Sequence, residues 1–142
     1  MKPFIKVALF VVFFLAVGGI LAALYYYNLK PKDLQKTKPD FVISATDLQK
    51  VFEGNEKASS EKYINKIIEV SGEISSARPG EKSSYNVSLK TGNELSSVIC
   101  TFPTISDATL FKTGTGVTIR GVCSGFLMDV LLNNCALIKN PL

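Results

Sequence analysis

Histidine is absent from the 142 residues, which removes the side chain most used as a general base and as a metal ligand. Three cysteines, Cys100, Cys123 and Cys135, are too few and too widely spaced for a structural zinc site. Glu69, Glu73 and Glu81 lie in alternating or turn-rich sequence, the setting of solvated carboxylates rather than of an acid–base pair. Serine and lysine are abundant, yet no spacing singles out a Ser–Lys nucleophile. The residues therefore specify no catalytic group, metal site or cofactor, and the expectation is a protein that is not an enzyme.

Cys100 shares strand parity with Val98 and Phe102, and Cys123 with Val117 and Ile119, so both read as small buried hydrophobes. Cys123 and Cys135 fall on neighbouring strands and are the candidates for a disulfide. A hairpin turning near Phe126-Leu127 would set Cys123 opposite Val130, so that bond requires a bulge or a shifted turn.

The elements that must position any site begin with an anchor. No charged residue occurs between Val7 and Tyr27, and the run is mostly Val, Phe, Leu, Ala and Ile. About twenty apolar residues in a helix cross the hydrocarbon of a bilayer. Lys2 and Lys6 flank one end, and Tyr25, Tyr26 and Tyr27 flank the other at headgroup level. Residues 1–6 read as a short flank, 7–27 as a transmembrane signal-anchor, 28–43 as a juxtamembrane linker and 44–142 as the folded domain. A cleaved signal peptide, with Ala16 and Gly18 before the cut, is the alternative, but the apolar run continues through Ile20, Leu21 and Leu24. The linker, rich in lysine and proline, is expected to pack on nothing.

Charge is unevenly divided. Residues 1–40 carry six lysines against Asp33 and Asp40, whereas residues 41–142 balance ten bases with ten acids. The basic character belongs to the anchor and its flanks, and the domain is neutral. Four lysines after the span would favour a cytoplasmic domain by count, but a long domain behind a first signal-anchor is often translocated regardless of charge. The expected placement is single-pass with the domain outside the cytoplasm.

Within the domain, Leu48, Val51 and Phe52 recur at helical spacing after Ser44 or Thr46 as cap. Gly54 and Asn55 interrupt, and a second helical segment runs to Lys66. The period then changes to two: Ile68, Val70, Gly72 and Ile74 alternate with polar residues. Further strands follow at Tyr85–Lys90, Leu95–Phe102, Val117–Cys123 and Val130–Ile138, with a short helix over ISDATLFK. Three strands, a helix and two strands is the order of a five-stranded OB-fold Greek-key barrel. An immunoglobulin-like sandwich needs more strands than this. Gly72 and Gly121, both in mid-strand, mark bends or close backbone approaches.

The stretch GVTIRGVCSGFLMDVLLNNCALI, with VSGEI and VICTF upstream, resembles the bacterial tRNA_anti-like group of OB-fold proteins over roughly residues 45–140. The resemblance implies an OB-fold behind a membrane segment or lipoprotein signal in the cell envelope. Its motifs mark strands and glycines rather than an active site.

OB-folds bind ligands with the face of their second and third strands and the loops beside it. The candidate contacts are Arg78 in the Arg78-Pro79-Gly80-Glu81 loop, Tyr85, Arg120, and the apolar Phe126, Leu127 and Met128 of the last hairpin. These last three read either as a plug under the barrel or as an exposed contact patch. Single-stranded nucleic acid needs a basic groove with aromatic stacking platforms, and a neutral domain without tryptophan offers little of either. The favoured partners, besides the membrane, are a protein, a peptide or a small envelope ligand, with nucleic acid the weaker alternative.

Overall fold

The computed structural model describes residues 2–29 and 32–139, with the side chain of Lys139 excepted; Lys30 and Pro31 of the expected linker thus lie outside the described residues. The chain divides into two compact units, residues 1–32 and 33–142. The first is a single helix, α1 (Pro3–Asn28), whose 26 residues extend about 39 Å at the α-helical rise. Among the described residues it is the one helix long and apolar enough to cross a membrane.

The second unit contains β1 (Phe41–Ser44), α2 (Ala45–Gly54), α3 (Glu56–Tyr63), β2 (Ile67–Pro79), β3 (Tyr85–Lys90), β4 (Ser97–Phe102), a single 3₁₀ turn (Ala108–Leu110), β5 (Gly116–Leu127) and β6 (Asp129–Lys139). The N-terminal half of β2 pairs with β5, Ile67 opposite Val122 and Glu73 opposite Gly116. Its C-terminal half pairs with β3 across a register shift between Ile74 and Ser76. One long strand, bent at that irregularity, therefore serves two neighbours. β3 pairs with β4, β4 runs parallel to β6, and β6 returns antiparallel to β5. The circuit β2-β3-β4-β6-β5 closes on itself, and with the short helix between its third and fourth strands it is an OB-fold.

The alternating apolar residues fill the interior. Ile68, Val70, Ile74, Val87, Leu89, Val98, Cys100, Ile119, Cys123 and Leu132 are fully buried. α2 closes one end of the barrel with Leu48 and Phe52, both without exposed surface. The Ser44 side chain accepts from the Asp47 N–H to start α2, and the Asn55 side chain accepts from the Ala58 N–H to start α3.

Three features depart from the expectations. β1 is a sixth strand, parallel to β2, with Phe41 opposite Ile68 and Ser44 opposite Ser71. The helix before β5 is only one turn, capped by Asp107. The expected linker is not free of the domain: Leu34 is 2% exposed, and Asp40 both donates to the Ile67 carbonyl and accepts from its N–H.

Gly121 is a close approach. A Cβ there would lie 2.6 Å from Cys135 Sγ, 3.1 Å from Leu132 Cβ and 3.3 Å from the Asn133 carbonyl oxygen. Gly121→Ala is expected to destabilise the domain by about 2 kcal/mol through overpacking. Adding Cys135→Ala, which removes the nearest atom, should return part of that loss. Urea unfolding of the single and double variants measures both, and additive losses would contradict the geometry.

Candidate binding cleft

At one end of the barrel α2, the β3–β4 loop and the β5–β6 turn come together. The strands β5 and β6 continue to Leu127 opposite Asp129, so the hairpin turns tightly at Met128, whose φ is +64°. A left-handed conformation at a non-glycine residue needs support from its surroundings. Gln49 supplies it: Nε2 donates to the Met128 carbonyl at 2.7 Å and to Glu53 Oε1 at 2.9 Å. Gln49 is 1% exposed, and its Oε1 has no partner among the described residues.

The β3–β4 loop is fixed in a similar way. Thr91 Oγ1 donates to the Ser96 carbonyl at 2.8 Å, and Asn93 Oδ1 accepts from the Leu95 N–H at 3.0 Å. Asp129 Oδ1 accepts from the Ser97 N–H at 2.7 Å, tying that loop to the hairpin. Between these elements lies an open cleft of about 740 Å³, walled by Phe52, Leu95, Phe126, Leu127 and Met128 with Glu53 and Glu56 at its edge. Beside it, along the outer barrel face, a polar hollow of about 640 Å³ holds Arg78, Ser88, Lys90, Ser97 and Asp129. Asn93, Leu95 and Ser96 border both.

Of the candidate contacts, the structure brings together only the hairpin residues. Phe126 behaves as a plug: its ring stacks on Phe52 at 5.2 Å with 24° between planes. Leu127 and Met128 point to solvent, 78% and 69% exposed. The two readings of the turn are thus divided between its residues. Arg78 is exposed at the end of β2, in the polar hollow. The loop after it closes on itself, Gly80 N–H to the Ser84 carbonyl and Ser84 Oγ to the Glu81 carbonyl.

Tyr85 shares the inward parity of Val87 and Leu89 and packs 5.9 Å from Phe111, so it offers no outward stacking platform. Arg120 is occupied elsewhere. Its guanidinium pairs with Glu69, Nε at 3.1 Å from Oε2, and Nη1 donates to the carbonyls of Leu34, at 2.9 Å, and Thr37. These bonds clamp the segment before β1 to β5.

Leu95, Gln49, Glu53 and Glu56 were not singled out in the sequence. The strand expected from Leu95 begins at Ser97, which leaves Leu95 a lone leucine in the polar turn TGNELSS with no interior to fill.

All three cysteines are free and buried. The turn at Met128 together with a register shift between Cys123 and Gly125 sets Cys123 opposite Leu132, leaving Cys135 three residues further along β6, where Sγ donates to the Leu132 carbonyl at 3.4 Å. The disulfide considered for Cys123 and Cys135 is not formed in this register. Burial pushes both thiols up from their ordinary value, and the neighbouring Cys100 pushes Cys135 further. At neutral pH they are protonated and poor nucleophiles. Among the described residues no three His, Cys, Asp or Glu side chains are grouped as metal donors.

A family model described as tRNA_anti-like matches residues 1–137. No curated protein sequence matches the chain. Among solved structures, the chain is similar to a lipoprotein of Klebsiella pneumoniae subsp. pneumoniae MGH 78578, described provisionally as nucleic acid-binding. The TM-score is 0.59 at 18% identity, over 78% of this chain and 100% of that one. At that identity the likeness is one of fold. The chain also matches the asparaginyl-tRNA synthetase of Entamoeba histolytica in complex with asparaginyl-adenylate, with a TM-score of 0.40 and 12% identity, over 54% of this chain and 22% of the synthetase.

Proposed function

As this chain belongs to the tRNA_anti-like family, we propose that it is a membrane-tethered, non-catalytic OB-fold binding module of the cell envelope. In this reading α1 is an uncleaved signal-anchor and the domain lies outside the cytoplasm, where it takes a protein, a peptide or a small ligand. The observation that carries the proposal is the rigid presentation of Leu127 and Met128. A mobile apolar turn would fold onto the barrel, whereas Gln49 and Phe52 hold this one outward, and exposed apolar side chains on a fixed support mark contact surfaces.

A photocrosslinking residue at position 127 in living cells tests the proposal. A discrete adduct of constant mass at 127, and none from another exposed position such as Lys57, is the expected result. No adduct, or equal adducts from both positions, would count against it.

Nucleic acid is the second reading, favoured by the exposed Arg78 on the face that OB-folds use and by the description of the Klebsiella lipoprotein. The charges oppose it. Lys90 in the same hollow is paired with Glu73, Glu94 and Asp129 add negative charge, and the aromatic of that region, Tyr85, faces the core. The full-length protein in zwitterionic nanodiscs should bind labelled oligothymidylate no more tightly than about 100 µM at physiological salt, the weak end of non-specific binding. Micromolar binding with a steep salt dependence would replace the proposed reading with this one.

A further inference from the structure

The cleft beneath the β5–β6 turn is apolar in its walls and acidic at its edge. Leu95, Leu127 and Met128 are 80%, 78% and 69% exposed. Glu53 and Glu56 line the same space, and among the described residues no lysine or arginine does. Glu94 adjoins Leu95 and borders the neighbouring hollow. Because residues 41–142 carry balanced charge, this local excess of carboxylates belongs to the cleft and not to the domain as a whole. The buried amide of Gln49 joins two of the lining residues, Glu53 and Met128, and its Oε1 has no partner among the described residues.

From this complementarity we infer that the cleft takes a peptide segment of a partner protein in which apolar side chains are flanked by lysine or arginine. The inference rests on the binding-module reading and specifies its partner. Apolar side chains of the segment cover Leu95, Leu127 and Met128, removing surface from water, and the flexible thioether of Met128 accommodates differing shapes. Cationic side chains meet Glu56 and Glu94 at the rim, where exposed pairs add little affinity but steer association and reject acidic competitors. The same carboxylates disfavour two other occupants. An anionic bilayer surface attracts basic, not acidic, protein patches. A phosphate backbone is repelled for the same reason.

The test uses the full-length chain in nanodiscs of zwitterionic lipid and a fluorescent dodecapeptide alternating lysine and leucine, with empty discs subtracted. One control peptide replaces every lysine with glutamate, and the other replaces every leucine with serine. The Lys–Leu peptide should bind about tenfold more tightly than either control. The double reversal Glu56→Lys/Glu94→Lys, at two exposed positions, should weaken binding about fivefold at low salt, with the difference shrinking at high salt. Leu95→Ser/Leu127→Ser, also at exposed positions, should weaken it about tenfold.

Unchanged binding by both variants, or equal binding of the Glu–Leu peptide, overturns the inference. So does quenching of a fluorophore at position 127 by brominated lipid tails, which would make the bilayer the occupant. A negative result here with a specific crosslink from position 127 in cells discards the cationic partner and keeps the module. A negative result in both experiments discards the module as well.

Discussion

Arg120→Ala is expected to cost the domain about 3 kcal/mol and to release the chain before β1. The side chains of Arg120 and Glu69 are only 12% and 20% exposed, so removing the cation strands a carboxylate that water reaches poorly. Breaking a buried pair from one side costs about 3–5 kcal/mol, and the residual exposure places this case at the low end. The carbonyls of Leu34 and Thr37 lose their donor at the same time, and Leu34 loses what holds it against the barrel. Urea unfolding should show the midpoint falling with little change in slope. Trypsin should cut after Lys36 markedly faster in the variant; the Lys38–Pro39 bond resists it in either form. Arg120→Lys keeps the charge but not the fork that reaches Glu69 and the carbonyls of Leu34, Gln35 and Thr37 together, and should fall between. If Arg120→Ala unfolds with the wild-type midpoint, the clamp contributes nothing and Arg120 returns to the pool of ligand contacts.

The second large effect is at Phe52. Its ring has no exposed surface and lies 5.9 Å from Tyr63 and 5.2 Å from Phe126. Phe52→Ala removes the ring common to both contacts and leaves a cavity under α2, at an expected cost of about 4 kcal/mol. Phe52→Leu fills most of the space and should cost about 1.5 kcal/mol. Near-UV circular dichroism should change for Phe52→Ala while far-UV signal is retained below its melting point. Phe126 would also lose its support, so a crosslink from position 127 should weaken even where the variant remains folded. A loss under about 1 kcal/mol would mean that α2 does not close the barrel as described.

The five barrel strands were legible because each buries one face, and alternation is the direct trace of that burial. Ile68, Val70, Val98, Cys100, Ile119 and Cys123 lie inside as their parity requires. The same parity argument, applied to Tyr85 with Val87 and Leu89, would have turned Tyr85 inward as well. β1 was hidden because four residues are too few to show a period, and because they run directly into α2. The clamp was hidden for a different reason. Arg120 binds backbone carbonyls, which every residue carries, so its partners leave no mark on the sequence. A lysine-rich segment with one well-placed leucine reads as solvated spacer until that leucine is seen 2% exposed. The cleft was half legible: its apolar turn is continuous in sequence, whereas Leu95 of the β3–β4 loop and Glu53 of α2 reach it from two other places through tertiary packing.

The attachment of residues 34–44 to the barrel also sets the order in which the domain yields to mechanical load. A pull arriving through the chain from before Asp33 reaches the Arg120 hydrogen bonds and the Leu34 contact first, next the bonds between Asp40 and Ile67, and then the four-residue β1 ladder. Only after these have parted does the chain pull directly on α2. Each stage lengthens the chain between the point of pull and the barrel, so several residues of slack are released before the closed circuit of strands must itself open.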